Sequence, residues 1–175
     1  VSQTFKTNGD VTAGQVVSLD KDANTVTLAN QNNIANLYGV VVSASSVEVN
    51  ASNEGALVAN TGVLDTYVST ANGAIKPGDA VGISTIEGIG EKAIRTGKII
   101  GVAQGSLDEN SGNAKDFQLQ EGQTSRTIKV GIVPVKVEVS NYNPATGLVN
   151  AESQDVSNRN KALQVADSIA GKPVN

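Results

Sequence analysis

Short runs of Val, Ile and Leu alternate along most of the chain with clusters of Gly, Asn, Asp, Ser and Thr. In residues 129–140, "KVGIVPVKVEVS", the residues Val133, Val135, Val137 and Val139 fall on one side, and Pro134, Lys136 and Glu138 on the other. That period of two belongs to a half-buried strand. Pro134 has no amide hydrogen to give a ladder, so the strand is expected to lie at an edge or to begin a new pairing there. The segments "VTLA" (26–29), "YGVVVSAS" (38–45), "VEV" (47–49) and "VLDTYVS" (63–69) read the same way. Many short strands, separated by turn residues roughly every 8 to 12 positions, imply sandwiches or small barrels. The period changes only near the end. Residues 155–174, "DVSNRNKALQVADSIAGKPV", read as an amphipathic helix with Asp155 or Ser157 as N-cap, Leu163, Ala166 and Ile169 on one face, Gly171 after its end and Pro173 as stop.

Part of this pattern occurs twice. Residues 7–19, "TNGDVTAGQVVSL", align without gaps on residues 71–83, "ANGAIKPGDAVGI", placing Asn8 on Asn72, Gly9 on Gly73, Gly14 on Gly78 and Val17 on Val81, 64 positions apart. Downstream, "LYGVVVS" (37–43) resembles "IIGVAQGS" (99–106), and "TGVLDTYVS" (61–69) resembles "VGIVPVKVEVS" (130–140). The expected architecture is therefore all-β. Two related sandwich or barrel subdomains, products of an internal duplication, would span residues 1–70 and 71–150, with a C-terminal helix and tail at 151–175. Asn-Gly favours a type I′ turn, with positive φ at both central positions. Pro77 presets the first central position of a further turn at Gly78. Residues 107–126, "LDENSGNAKDFQLQEGQTSR", interrupt the second unit as a polar hairpin or loop, a place where function often resides.

Composition narrows the chemistry. Hydrophobic residues make up 39% and charged residues 17%, as in a globular chain. The core must be built from Val, Ile, Leu and Ala, since the aromatics are only Phe5, Tyr38, Tyr67, Phe117 and Tyr142. There is no Cys and no His, which removes thiol nucleophiles, Ser-His-Asp triads, thiolate or imidazole metal sites and disulfides. The net charge of −4, without any basic run, argues against nucleic acid as partner. No stretch approaches the ~18 apolar residues of a membrane helix, so a membrane link would run only through segments absent from this chain.

"GIGEKA" (88–93) satisfies G-x-G-x-x-A, but a dinucleotide loop follows a parallel strand and opens a helix, whereas "IRTGKIIGV" resumes strand character at once. "TGKI" (96–99) lacks the upstream glycines of a phosphate loop. "DKDANT" (20–25) starts like a calcium loop with Asp20, Asp22 and Asn24, but has Thr25 where glycine is needed and Gln31 at the closing acid. Ser84 and Ser106 could in principle pair with Lys92 or Lys98, but no spacing unites them. Asn50-Ala51-Ser52 is a glycosylation sequon. No catalytic, cofactor-binding or metal residue is assigned, and no cofactor is expected.

Residues 75–107 carry I-x-x-G-D-x-V, then G-x-G-x-K-A and I-G-x-A, and residues 131–144, "GIVPVKVEVSNYNP", end on a V-P-V strand. This resembles the β-rich modules of phage tail-fibre and head-decoration proteins, including chaperone-like peptidase G2 domains. It resembles most the uncharacterised surface proteins of small-genome bacteria, which share N-G-D-V-x-x-G-x-V-V-S-L (8–19 here) and a helix ending near "AGKPV" (170–174). The resemblance implies an extracellular, non-enzymatic structural or filament-forming domain that associates with its own copies or with other surface proteins. A phage virion component is the alternative, and an autoproteolytic or glycan-active β domain a further one. The peptidase-like relatives cleave themselves, but no catalytic motif carries over to this chain.

Overall fold

A computed structural model describes residues 1–45 and 55–151. Twelve strands and one 3₁₀ turn (Ile34–Asn36) make up its regular structure among the described residues. The expected helix at 155–174, the segment 47–49 and the sequon at 50–52 lie outside them.

The first five strands are β1 (Ser2–Thr7), β2 (Val16–Leu19), β3 (Thr25–Leu28), β4 (Leu37–Ser45) and β5 (Gly55–Ala59), closed into a barrel in the order β1-β3-β2-β4-β5. β1 and β3 run parallel, and every other neighbouring pair is antiparallel. The next strands are β6 (Gly62–Ser69), β7 (Ala80–Ile83), β8 (Gly90–Lys92), β9 (Gly97–Ala103), β10 (Lys115–Glu121), β11 (Thr124–Asn143) and β12 (Leu148–Ala151). β6 pairs with β8 in parallel. The antiparallel pairings β8–β7, β7–β9, β9–β11 and β11–β6 then complete a second ring. The pairing orders of the two rings run alike, β1-β3-β2-β4-β5 in the first and β6-β8-β7-β9-β11 in the second.

The register agrees as well. Val17 faces Gly39 and Val16 faces Val40 in the first ring; Val81 faces Gly101 and Ala80 faces Val102 in the second. Loop hydrogen bonds match in the same way: Gly14 N–H donates to the Val41 carbonyl and Gly78 N–H to that of Ala103, both at 2.8 Å. β6 pairs within the second ring, so residues 62–69 belong to that ring. The similar stretches 61–69 and 130–140 fall on β6 and β11, which pair side by side in the second ring.

The turn chemistry is partly as expected. Asp79 N–H donates to the Lys76 carbonyl at 3.0 Å, with Pro77 second and Gly78 third at φ +94°, a type II turn. Thr12-Ala13-Gly14-Gln15 repeats it, with Gly14 at φ +95°. The Asn-Gly pairs are not type I′ turns. Every positive φ among the described residues belongs to glycine, so Asn8 and Asn72 are excluded from that geometry. Nor do these pairs join hairpin partners, because β3 lies between β1 and β2, and β8 between β6 and β7.

β11 carries the expected alternation. Val133, Val135 and Val137 are buried, while Lys136 and Glu138 are exposed. Pro134 sits one residue before pairing with β9 begins at Val135, and its carbonyl accepts from Gln104 N–H at 2.7 Å. The missing proline N–H therefore falls outside the regular β9 ladder. Phe5, Val17, Val26, Val41, Ala56 and Val58 fill the first barrel. A second apolar cluster joins Val16, Ala29, Leu37 and Val40 of the first barrel to Val68, Val81, Ile100 and Val135 of the second. β2 is buried on both faces for this reason, Val17 inside its barrel and Val16 against the neighbour.

Candidate functional site

Gly88 and Gly90 do not cradle a phosphate. Gly88, at φ +76°, donates its N–H to the Ala29 carbonyl at 2.9 Å, and its own carbonyl accepts from Val16 N–H at 2.8 Å. It thus joins the two barrels through backbone. Gly90 lies in β8 between Val68 and Ile83. The carboxylates of "DKDANT" are taken up by nearby donors: Asp20 Oδ1 accepts from Lys21 N–H and Asp22 Oδ1 from Asn24 N–H, each at 2.7 Å, and Asp20 Oδ2 accepts from Asn8 Nδ2 at 3.2 Å. Buried Ser84 donates its hydroxyl hydrogen to the Ile86 carbonyl and accepts from Ile86 N–H, a local turn rather than an activated nucleophile. Ser106 is exposed on a loop and does not join Lys92 or Lys98.

Lys92 and Lys98 do come together with other charged groups. They line a groove of about 480 Å³ along the outer side of β8, bounded by the β8–β9 loop, by Gln31 and Ile34 of the first barrel, and by the hairpin of β10 and β11. The polar insertion seen in the sequence supplies that last wall through Leu119, Glu121 and Arg126. Four cations (Lys92, Arg95, Lys98, Arg126) face two carboxylates (Glu91, Glu121) here. This reverses the balance of the whole chain, in which 17 acids outnumber 13 bases.

Each wall is held in place. Arg126 donates from Nε to Glu121 Oε1 at 2.8 Å and from Nη2 to the Ala71 carbonyl at 2.9 Å, fastening the hairpin across the groove. This contact holds the Glu121 carboxyl below its ordinary range, chiefly by hydrogen bonding and then by charge. Asn72 Nδ2 donates to Glu91 Oε2 and, at 3.2 Å, to the Lys92 carbonyl. Burial pushes the Glu91 carboxyl above its ordinary value, opposed by the Asn72 hydrogen bond and the charges of Arg95 and Arg126. Lys98 Nζ donates to the Ala35 carbonyl at 2.8 Å. Arg95 is exposed and makes no hydrogen bond or ion pair within the described residues.

A second cleft, about 410 Å³, lies between the barrels and is lined by Ala13, Val41, Val42, Val63, Leu64, Asp65 and Ile132. Val42, Val63 and Ile132 are all substantially exposed there. Val42 is the extra residue of a bulge in β4, which turns it outward.

The charged groove combines hydrogen-bond donors and acceptors held in place by Asn72, Glu121 and the Ala71 carbonyl. Sequence reasoning flagged Lys92, Lys98 and the insertion but missed Glu91, Arg95 and Arg126. The available signal was the density of charge in "GEKAIRTGK" (90–98) beside an insertion ending at Arg126. No protein-family model matches the chain, and none of the curated proteins compared with it matches.

Proposed function

We propose that this chain is a non-enzymatic structural module of an extracellular or cell-surface assembly, built from two copies of one duplicated barrel unit. The observation that carries the reading is the joint between the barrels. Gly88 bridges them with two backbone hydrogen bonds, Tyr67 N–H adds a third to the Gly14 carbonyl at 2.8 Å, and one apolar cluster spans both. Such a joint makes a stiff unit, useful for bearing load or setting spacing. The shared pairing order and register of the two rings support the duplication.

Assembly with further copies, or with other surface proteins, has a structural opening. Among the described residues β10 pairs only with β11, so one of its edges can accept another strand. The N-terminal segment "VSQTFKT" is a poor donor for a neighbour, because β1 already pairs on both sides within its own barrel.

Antibody labelling of intact source cells tests the location: labelling without permeabilisation is expected, and labelling only after permeabilisation would overturn it. Recovery of the chain in purified virions instead would favour the virion alternative. Prolonged incubation should leave the purified chain as one uncleaved species, and its sedimentation coefficient should rise with concentration.

A further inference from the structure

We propose that the charged groove beside β8 is a binding site for an acidic sugar, one whose ring carries a carboxylate alongside free hydroxyls. Arg95 supplies the first reason. A guanidinium has five donors in a fixed fork that fits a carboxylate two bonds at a time, and among the described residues none of those of Arg95 is engaged in a hydrogen bond or ion pair. Arg126 presents its remaining N–H groups to the same groove while Glu121 and the Ala71 carbonyl fix its position. The anion site is therefore partly built before any ligand arrives.

The second reason is Glu91. A purely anionic ligand, such as a phosphate-rich or polyacidic chain, would be repelled by a carboxylate in the same groove. A sugar hydroxyl is attracted, since an ionised carboxylate only accepts hydrogen bonds. Asn72 pins Glu91 in place, and the carboxamide of Gln31 and the hydroxyls of Thr85 and Thr96 add groups that both donate and accept. A ligand that satisfies this set brings hydroxyl donors and an anion together, which is the chemistry of a uronate. The groove is within the roughly 300–1,000 Å³ of small-ligand sites. Its aliphatic residues (Ile94, Leu119) can meet the C–H faces of a ring. The reading does not depend on where the protein resides, so its failure leaves the proposed surface role standing.

Calorimetric titration of the full chain with a galacturonate trisaccharide tests it, beside the neutral galactose trisaccharide of the same linkage and a tri-glutamate peptide. Saturable binding of the uronate is expected, weakened at least about tenfold for the neutral sugar and in Arg95→Gln. Arg95→Gln removes no hydrogen bond or ion pair within the described residues, only a charge near Glu91, so its thermal midpoint should stay close to that of the parent. Four results would overturn the proposal: no saturable binding of the uronate at millimolar concentration, equal binding of the neutral sugar, equal or tighter binding of tri-glutamate, or an unchanged uronate affinity in Arg95→Gln.

Discussion

Gly39 and Gly101 occupy one and the same position in the two barrels, each pressed against the carbonyl of the strand beside it. A Cβ on Gly39 would stand 2.3 Å from the Ala59 oxygen, and one on Gly101 would stand 2.1 Å from the Lys136 oxygen. Neither has positive φ, so the requirement for glycine is space rather than backbone freedom. Because the obstacle is backbone, a side chain cannot rotate away to relieve it. Gly39→Ala and Gly101→Ala should each lower unfolding stability by about 1–3 kcal/mol or more. Gly112→Ala, which meets nothing within 4 Å, should leave it nearly unchanged. Chemical denaturation of the three variants checks this.

Gly88 makes a different demand. Its φ of +76° is strained for any residue with a Cβ, and a Cβ would also approach Leu28 Cδ2 at 2.9 Å. The Leu28 methyl can move, so the backbone term dominates. Gly88→Ala should cost about 1–2 kcal/mol. The effect should concentrate at the joint, so hydrogen exchange at Val16, whose N–H is held by the Gly88 carbonyl, should accelerate more than at Val26 inside the first barrel.

β11 was legible because its valines alternate against one apolar cluster. Val133, Val135 and Val137 are buried as their spacing requires. Turn glycines were legible too: Gly9, Gly14, Gly73 and Gly78 all have positive φ. Other features depend on partners distant in sequence. Val16 and Val17 are both buried because two barrels meet at β2, which no local period encodes. Gly39 and Gly101 lie in segments that read as strands, but nothing local shows that a neighbouring strand's carbonyl leaves each no room for a side chain. The groove was hidden for the same reason, since Glu91 and Arg126 meet only because the β10–β11 hairpin folds back far enough for Arg126 to reach Ala71.

Arg126→Ala should release that hairpin without unfolding the barrels. Both groups of the Arg126–Glu121 pair are solvent-exposed, and exposed pairs add little to global stability. The Ala71 contact is a matter of local position. Amides of β10 should exchange faster while the thermal midpoint stays close to the parent value. A large drop in the midpoint would show that the hairpin belongs to the folding core.

Glu91 sets a pH dependence whose sign follows from burial. Its folded pKa is raised, so the folded state holds the proton more tightly than the unfolded chain. The associated stability is complete below the unfolded value and is lost as pH rises through the higher folded value. Glu91→Gln abolishes this titration. The stability of Glu91→Gln minus that of the parent should therefore increase from acid pH towards neutrality, even if the absolute offset also reflects the altered bond to Asn72. Denaturation midpoints across that range provide the measurement, and a difference that falls with rising pH would contradict the burial-dominated assignment.

Removal of residues 1–7 should unfold the first barrel rather than leave a trimmed monomer. β1 is bonded to β5 from Ser2 to Lys6 and to β3 at Lys6 and Thr7, so its loss opens two edges at once. It also deletes Phe5, which is 3% exposed and packs edge-on against Tyr38 with ring centroids 5.1 Å apart. Phe5→Ala alone should cost about 3–5 kcal/mol, because a barrel this small has few other large side chains to collapse into the space. The two changes separate packing from pairing. Phe5→Ala keeps the ladder and should still unfold cooperatively at lower denaturant, whereas the deletion should lose the slow-exchanging amides of β3 and β5 even without denaturant. Retention of those amides in the deleted chain would mean that β1 is dispensable, and would restore it as a strand available to a neighbouring copy.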